Sequence, residues 1–201
     1  MFKRLKQASQ TFQQLTSVNY GTFRGWVRCV LAQLEWIAGR TDRFVTVQPE
    51  SVNRLVFVCL GNINRSAFAA AVARSRGVRT SSLGLATTTG APAFETAVTT
   101  ARRFGIDLST HAATDFSDFV YRPGDLLLVM EIRHVHRLLA QGIPPTAIAL
   151  LGAWSSPRRL HLHDPALQSD HYFMTCFVLI HSATVSLVEE LRSARSPCVL
   201  P

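Results

Sequence analysis

From Arg54 onward, short apolar runs alternate with stretches of helical spacing. "RLVFVCL" (54–60) reads as a buried strand, and residues 66–76 read as a helix. "VRTSSLGL" (78–85) is a second strand, and "APAFETAVTTARRFG" (91–105) a helix stopped by Gly105. "DLLLVME" (125–131) is a third strand, followed by the helix "IRHVHRLLAQG" (132–142). "AIALLGAW" (147–154) is a fourth strand. The loop "LHLHDPALQSD" (160–170) then leads to a long apolar-striped helix from about Tyr172 to Arg195. Continuous apolar strands alternating with helices predict a doubly wound α/β fold, a four-stranded parallel sheet with helices on both faces.

The first 42 residues carry a different pattern. In "TFRGWVRCVLAQLEWIAGR", Phe23, Trp26, Val27, Val30, Leu31, Leu34, Ile37 and Ala38 recur at helical spacing, with Arg24 and Arg28 on another face and Gly39 as the stop. Residues 1–42 are therefore an N-terminal amphipathic helical extension. Residues 43–53 form a linker in which Pro49 opposes a helix, and residues 54–201 form the main domain. An amphipathic stripe ordinarily docks on its own domain. Trp26 and Trp36 with Lys3, Arg4, Lys6, Arg24 and Arg28 also fit a peripheral membrane helix, and Trp26 with Leu34 fits self-association.

Composition narrows the class. Hydrophobic residues make up 47% of the 201 positions, which excludes a disordered chain. A net charge of +8 favours anionic partners, but the basic residues are scattered and no nucleic-acid patch is expected. Cys29, Cys59, Cys176 and Cys198 form no C-x-x-C pair and no secreted disulfide framework, so a reducing cytoplasm is expected. The basic N-terminus lacks the apolar core of a signal peptide, and no charge-free stretch of spanning length is expected.

The chemistry concentrates where the first strand ends. Parallel sheets bind ligands at the carboxyl ends of their strands, and Cys59 stands there. The loop Leu60, Gly61, Asn62, Ile63, Asn64 leads into a helix whose N–H groups and dipole attract an anion and favour a thiolate. Gly61 is expected to supply an unusual backbone angle. Arg65 offers a planar fork for two phosphoryl oxygens. A bare Cys-x5-Arg spacing is common by chance, and a cysteine ending a strand is usually a small buried hydrophobe. The strand-loop-helix context with Gly61, Asn62 and Ser66 makes the signal specific.

"VCLGNINRS" resembles the phosphate-binding loop of the low-molecular-weight protein tyrosine phosphatases, and the resemblance runs from about Arg54 to Arg195. "SSLGL" is similar to the family's second-strand motif, "FGIDLSTHAAT" to its G-I-D-x-S-x-H-x-A segment, "DLLLVME" to its D-x-I-L-x-M-D strand with Glu131 for aspartate, and "HDP" (163–165) to its general-acid loop. The resemblance implies a phosphoprotein phosphatase, chiefly a protein-tyrosine phosphatase, working through a phosphocysteine intermediate. By it, Cys59 is the nucleophile, Arg65 the phosphate clamp and Asp164 the general acid. Leu60, Gly61, Asn62, Ile63, Asn64 and Ser66 bind the substrate phosphate, Asn62 also bracing the loop and Ser66 donating to the thiolate. Ser82 supports the loop, and His111 is structural. The implied partner is a phosphotyrosine protein, by analogy a tyrosine kinase of polysaccharide export. No cofactor is implied. His161 and His163 lack the further ligands a metal site needs.

Several positions depart from the family pattern. Asn64 replaces a second loop cysteine. Ala166 and Leu167 stand where an aromatic pair often follows Asp-Pro, and "ATTTG" after the second strand lacks an aromatic wall, leaving Tyr172 or Phe173 as replacements. Ile63 resembles the tyrosine-directed branch rather than the phosphoarginine branch, which carries threonine. Two rival readings remain: a catalytically weak phosphate-binding regulatory or scaffolding module, and a thiol-dependent arsenate reductase. The latter needs relay cysteines, and none lies between Cys59 and Cys176.

Overall fold

The computed structural model describes residues 2–195, with side-chain surroundings from residue 11 onward. Cys198, and the side chains of Lys3, Arg4 and Lys6, lie outside the described residues.

Two helices open the chain, α1 (Phe2–Tyr20) and α2 (Phe23–Ile37). They are separated by Gly21, at φ +76°, and by Thr22, whose side chain accepts from the Gly25 N–H to cap α2. The sheet then forms from β1 (Arg54–Cys59), β2 (Thr80–Gly84), β3 (Asp125–Val129) and β4 (Ile148–Leu150). The helices between and after them are α3 (Arg65–Ser75), α4 (Glu95–Arg102), α5 (Ile132–Ala140) and α6 (Asp170–Arg195). All strands are parallel, in the order β2-β1-β3-β4. The chain leaves β1 toward β2 on one side and returns to β3 on the other. Such a reversal opens a crevice at the carboxyl ends of β1 and β3.

Both faces of the sheet are covered, which is why its strands are apolar throughout. Leu55, Phe57 and Leu128 face α3, α4 and α6, where Phe68, Phe173 and Phe177 fill the space. Val56, Val58, Leu127 and Val129 face α5, with Ala32 of α2 and Phe44 in the same cluster. The extension thus enters the second core.

Four local expectations change. The run 147–154 holds a strand only at Ile148–Leu150, followed by a 3-10 turn at Leu151–Trp154. Gly152 there touches the chain returning at Arg159, where a Cβ would come within 1.8 Å of the Arg159 carbonyl oxygen. The helix expected from residue 91 starts at Glu95, because Pro92 bridges Ala112 and the Phe94 N–H donates to the Ile63 carbonyl. The linker holds two 3-10 turns, Asp42–Phe44 and Pro49–Ser51, and buries Phe44 and Val52. Residues 171–188 do form a spanning-length stretch without Asp, Glu, Lys or Arg, contrary to the sequence expectation. In the fold this is the core helix α6, whose Phe173, Phe177, Ile180 and Leu187 are buried in the domain.

Candidate active site

β1 delivers Cys59 to the crevice, and the loop after it turns into α3. Its start is tied to the segment just after β2: the Leu85 N–H donates to the Cys59 carbonyl at 3.0 Å and the Ala86 N–H to the Leu60 carbonyl at 2.9 Å. Gly84 makes this approach feasible, since a Cβ there would lie 2.8 Å from the Leu60 oxygen. The residue with the left-handed backbone is Asn62, at φ 52°, not Gly61 as the sequence suggested. Asparagine tolerates that region because its short amide can bond locally. Here the amide is bonded at both ends.

Those bonds run as a directed chain to the sulfur. The Thr114 N–H donates to Asn62 Oδ1 at 2.9 Å, and Asn62 Nδ2 donates to Ser66 Oγ at 2.9 Å. Ser66 Oγ lies 2.9 Å from Cys59 Sγ and is the donor of the pair once the sulfur is a thiolate, which has no proton to give. The Asn62 N–H also points at the sulfur, at 3.2 Å. His111 Nε2 donates to the Asn62 carbonyl at 2.6 Å, fixing the tautomer of a ring whose pKa burial lowers. The loop is therefore braced through Asn62 from two neighbouring positions of the 111–114 segment.

Arg65 begins α3 and is fully buried. Its Nη1 donates to Glu131 Oε1 at 2.7 Å and to the Leu162 carbonyl at 2.9 Å, and its Nη2 to Asp164 Oδ2 at 2.6 Å. Arg65 Nε has no protein partner. Burial pulls the guanidinium pKa down, but the negative charges of Asp164, Cys59 and Glu131 outweigh it and raise the value. Glu131, two residues past β3 at the cap of α5, also pairs with Arg133 Nε at 2.7 Å. Burial pushes its carboxyl up, but the Arg65 guanidinium outweighs this and carries it down to about 2. His134 and His161, within 3.9 and 3.8 Å of Glu131, stay neutral because burial lowers their pKa values to about 3 and about 4. Among the described residues, no group of three His, Cys, Asp or Glu is arranged to hold a metal ion.

Asp164 lies in the loop before α6, with its side chain 28% exposed. Its Oδ1 accepts from the Ala166 N–H at 3.2 Å, and Leu167 follows at φ 61°, 95% exposed. Cys59, Asn62, Asn64, Arg65 and Ser66 are buried together, while Leu60, Gly61 and Ile63 are half-buried. Asn64 caps α3 through its backbone position alone, and its buried Oδ1 has no partner. Ser82 pairs with Phe57 in the sheet and lines a cavity with His111 and Thr114 beside the loop. It makes no hydrogen bond to the loop. Tyr172 and Phe173 are not an aromatic wall: both are buried, and the Tyr172 hydroxyl donates to the His163 carbonyl. Phe94 is 40% exposed, backed by Phe173 and tied to the loop through Ile63. No local pattern singles it out, since its link to the loop is a backbone bond. Glu131 carried only a motif match, although its place just past the carboxyl end of β3 sets it at the same crevice.

Residues 54–196 match the family model for low molecular weight phosphotyrosine protein phosphatases. The chain belongs to that family. As a member of it, the protein is a phosphoprotein phosphatase of the protein-tyrosine-phosphatase type, acting through a phosphocysteine intermediate. The low molecular weight protein-tyrosine-phosphatase Wzb of Escherichia coli K12 is 28% identical over 144 residues, which cover 70% of this chain and 97% of Wzb. The crystal structure of the Erwinia amylovora tyrosine phosphatase AmsI superposes with a TM-score of 0.61 at 26% identity, covering 69% of this chain and 93% of AmsI. The YwlE arginine phosphatase from Geobacillus stearothermophilus reaches the same TM-score of 0.61 at 20% identity, over 74% of this chain and 99% of its own. That likeness shows the fold alone. Backbone shape therefore does not separate tyrosine from arginine specificity in this phosphatase.

Proposed function

We propose that Cys59, Arg65 and Asp164 carry out phosphotyrosine hydrolysis in two steps. The Cys59 thiolate attacks phosphorus, the P–O bond to the phenol breaks, and Asp164 gives its proton to the departing oxygen. Asp164, now a carboxylate, then takes a proton from water as the water oxygen displaces the thiolate and frees inorganic phosphate. The loop N–H groups and Arg65 hold the phosphoryl oxygens in both steps. Ser66, already aimed at the sulfur, stabilises it as nucleophile and as leaving group.

The observation that carries this reading is the meeting of two loops at one guanidinium. Arg65 rises from the loop that holds Cys59 and touches Asp164 from a loop 99 positions away at 2.6 Å. Nucleophile, clamp and acid are thereby gathered in one crevice. The test is Cys59→Ser, whose hydroxyl is far less ionised. Vanadate binding is expected to persist and turnover to vanish, and near-normal turnover would remove Cys59 from the role.

Ile63 supports tyrosine over arginine specificity, and turnover on phosphotyrosine, phosphoserine and phosphoarginine peptides tests it. A tyrosine kinase of polysaccharide export as the partner rests on family resemblance and is tested by dephosphorylation of such a kinase. The arsenate reductase reading has little support: Cys176 is buried and its thiol is pushed up to about 12, by burial first. The weak-scaffold reading is opposed by the complete chain of donors on Cys59.

We place the protein in the cytoplasm with its N-terminal hairpin on the anionic inner membrane surface. Phe12, Leu15, Phe23, Leu31, Leu34 and Ile37 are exposed on that hairpin, and Arg24 and Arg28 are exposed beside them. Co-sedimentation with vesicles containing anionic lipid tests this placement. Lack of binding together with a concentration-dependent mass would point to self-association instead.

A further inference from the structure

The segment that carries Asp164 is gripped by the N-terminal hairpin. Gln33 Nε2 donates to the Arg158 carbonyl at 3.1 Å, and the Arg158 guanidinium lies 4.1 Å from the centre of the Trp36 ring. Arg159 covers Tyr20 at 4.5 Å and donates to the Asn19 carbonyl. His163, the residue before Asp164, sits in a seat at the corner between α1 and α2. Its Nε2 is 3.4 Å from Thr22 Oγ1. A Cβ at Gly25 would come within 3.0 Å of the His163 ring, and one at Gly21 within 2.7 Å of the Tyr172 ring. Tyr172 in turn donates to the His163 carbonyl at 3.1 Å.

On its inner side the same segment is tied to the domain, through Leu162 N–H to the Met130 carbonyl and Arg65 to the Leu162 carbonyl. The segment thus lies between the phosphate loop and the hairpin. The family match begins at residue 54, and Wzb is covered over 97% of its length by only 70% of this chain. The hairpin is an addition to the matched region.

We propose that the hairpin is a positioning element of the reaction, in which Thr22 and the glycine-lined corner hold His163 and thereby set where Asp164 delivers its proton. The proposal rests on Asp164 being the general acid. General acid catalysis contributes about 10²–10⁴-fold, and that contribution depends on placing the proton within hydrogen-bond reach of the leaving oxygen. An acid loop released from the hairpin keeps its carboxyl but loses its aim. Esters whose leaving group needs no proton do not register the loss.

The experiment uses the full chain. Thr22→Val removes the hydroxyl facing His163, Thr22→Ser retains it, and His163→Ala empties the seat. For each, kcat/KM is measured on a phosphotyrosine peptide and on 2,4-dinitrophenyl phosphate, with vanadate affinity as the control for an intact cradle. Thr22→Val and His163→Ala are expected to lower kcat/KM on the peptide by about tenfold, part of the acid's contribution. Activity on the dinitrophenyl ester and vanadate affinity should change less than about twofold, and Thr22→Ser should behave as the parent. In an Asp164→Ala background, Thr22→Val should have no further effect, as coupled residues require. Equal losses on both substrates, no loss in either variant, or full additivity with Asp164→Ala would overturn the proposal. If Asp164→Ala alone fails to discriminate between the substrates, the acid assignment falls and the hairpin's role with it. If Asp164→Ala discriminates and the hairpin variants do not, only the hairpin's role falls.

Discussion

Arg65 Nη2 and Asp164 Oδ2 are 2.6 Å apart, so the clamp for the phosphate and the acid for the leaving group are each other's partners before any substrate is bound. An entering phosphoryl group competes with the Asp164 carboxylate for the same guanidinium edge.

This competition makes Asp164→Ala move two quantities in opposite directions. Inorganic phosphate should inhibit the variant several-fold more strongly, because Nη2 is released and a negative charge is gone. Its kcat/KM on phosphotyrosine should fall by about 10²–10⁴-fold, while an ester with a very acidic leaving group should lose far less. Parallel losses on both esters would mark Asp164 as structural.

Phe94 is expected to flank the bound phenol. Phe94→Ala should raise KM for a phosphotyrosine peptide by about 2- to 10-fold, the equivalent of an aromatic contact worth about 0.5–1.5 kcal/mol. Inhibition by inorganic phosphate should not change. An unaltered KM in steady-state assays would leave the phenol without support from this side chain.

Asn64 governs recovery from oxidation. Peroxide converts the Cys59 thiolate to a sulfenic acid, which a neighbouring thiol can trap as a disulfide. Asn64 cannot, and Cys176 holds its proton too tightly to serve. Inactivation should therefore pass quickly beyond rescue by dithiothreitol. Asn64→Cys should restore rescue and, because the Asn64 Oδ1 is buried without a partner, should not destabilise the fold. Activity before and after reductant, following a timed peroxide pulse, checks both. Full rescue of the parent enzyme after long exposure would contradict the prediction.

The histidines around Glu131 make the fold acid-sensitive. His134 and His161 bind protons below about pH 6.5 when unfolded but only near pH 3 and 4 when folded. Between these values the unfolded state holds more protons, so stability falls as pH falls, by up to about 1.4 kcal/mol per pH unit for each ring. Glu131, depressed from 4.5 to about 2, adds a loss in the same direction only below about pH 4.5. Urea midpoints should be flat above pH 7 and decline from pH 6.5 to 5. His134→Gln should make that decline shallower, and a midpoint independent of pH over this range would refute the assignment.

What the sequence disclosed followed locality. Cys59 to Ser66 lie within one strand-loop-helix passage, and their spacing within that context located the cradle. Asp164 needed family motifs, because nothing near it in the chain distinguishes a catalytic Asp-Pro from a turn. The Arg65–Glu131 and Asn62–Thr114 bonds join residues 66 and 52 positions apart, and no local period encodes them. The amphipathic stripe of α2 misled about the docked face: Phe23, Leu31, Leu34 and Ile37 are exposed, and the small residues Gly25, Cys29 and Ala32 are the buried ones, with Gly25 closing on His163. At Gly61 and Asn62 propensity misled, since a specific pair of bonds secured the left-handed turn with asparagine.

The conformation of Asn62 has a thermodynamic consequence. With its backbone in a sparsely populated region and its amide bonded at both ends, the loop is ordered by folding itself rather than by the anion. Phosphate meets a rigid receptor, and its binding enthalpy is offset by little loss of chain entropy. Calorimetry of phosphate binding should show a small heat-capacity change, set by the ligand and a few displaced waters rather than by a segment folding around it.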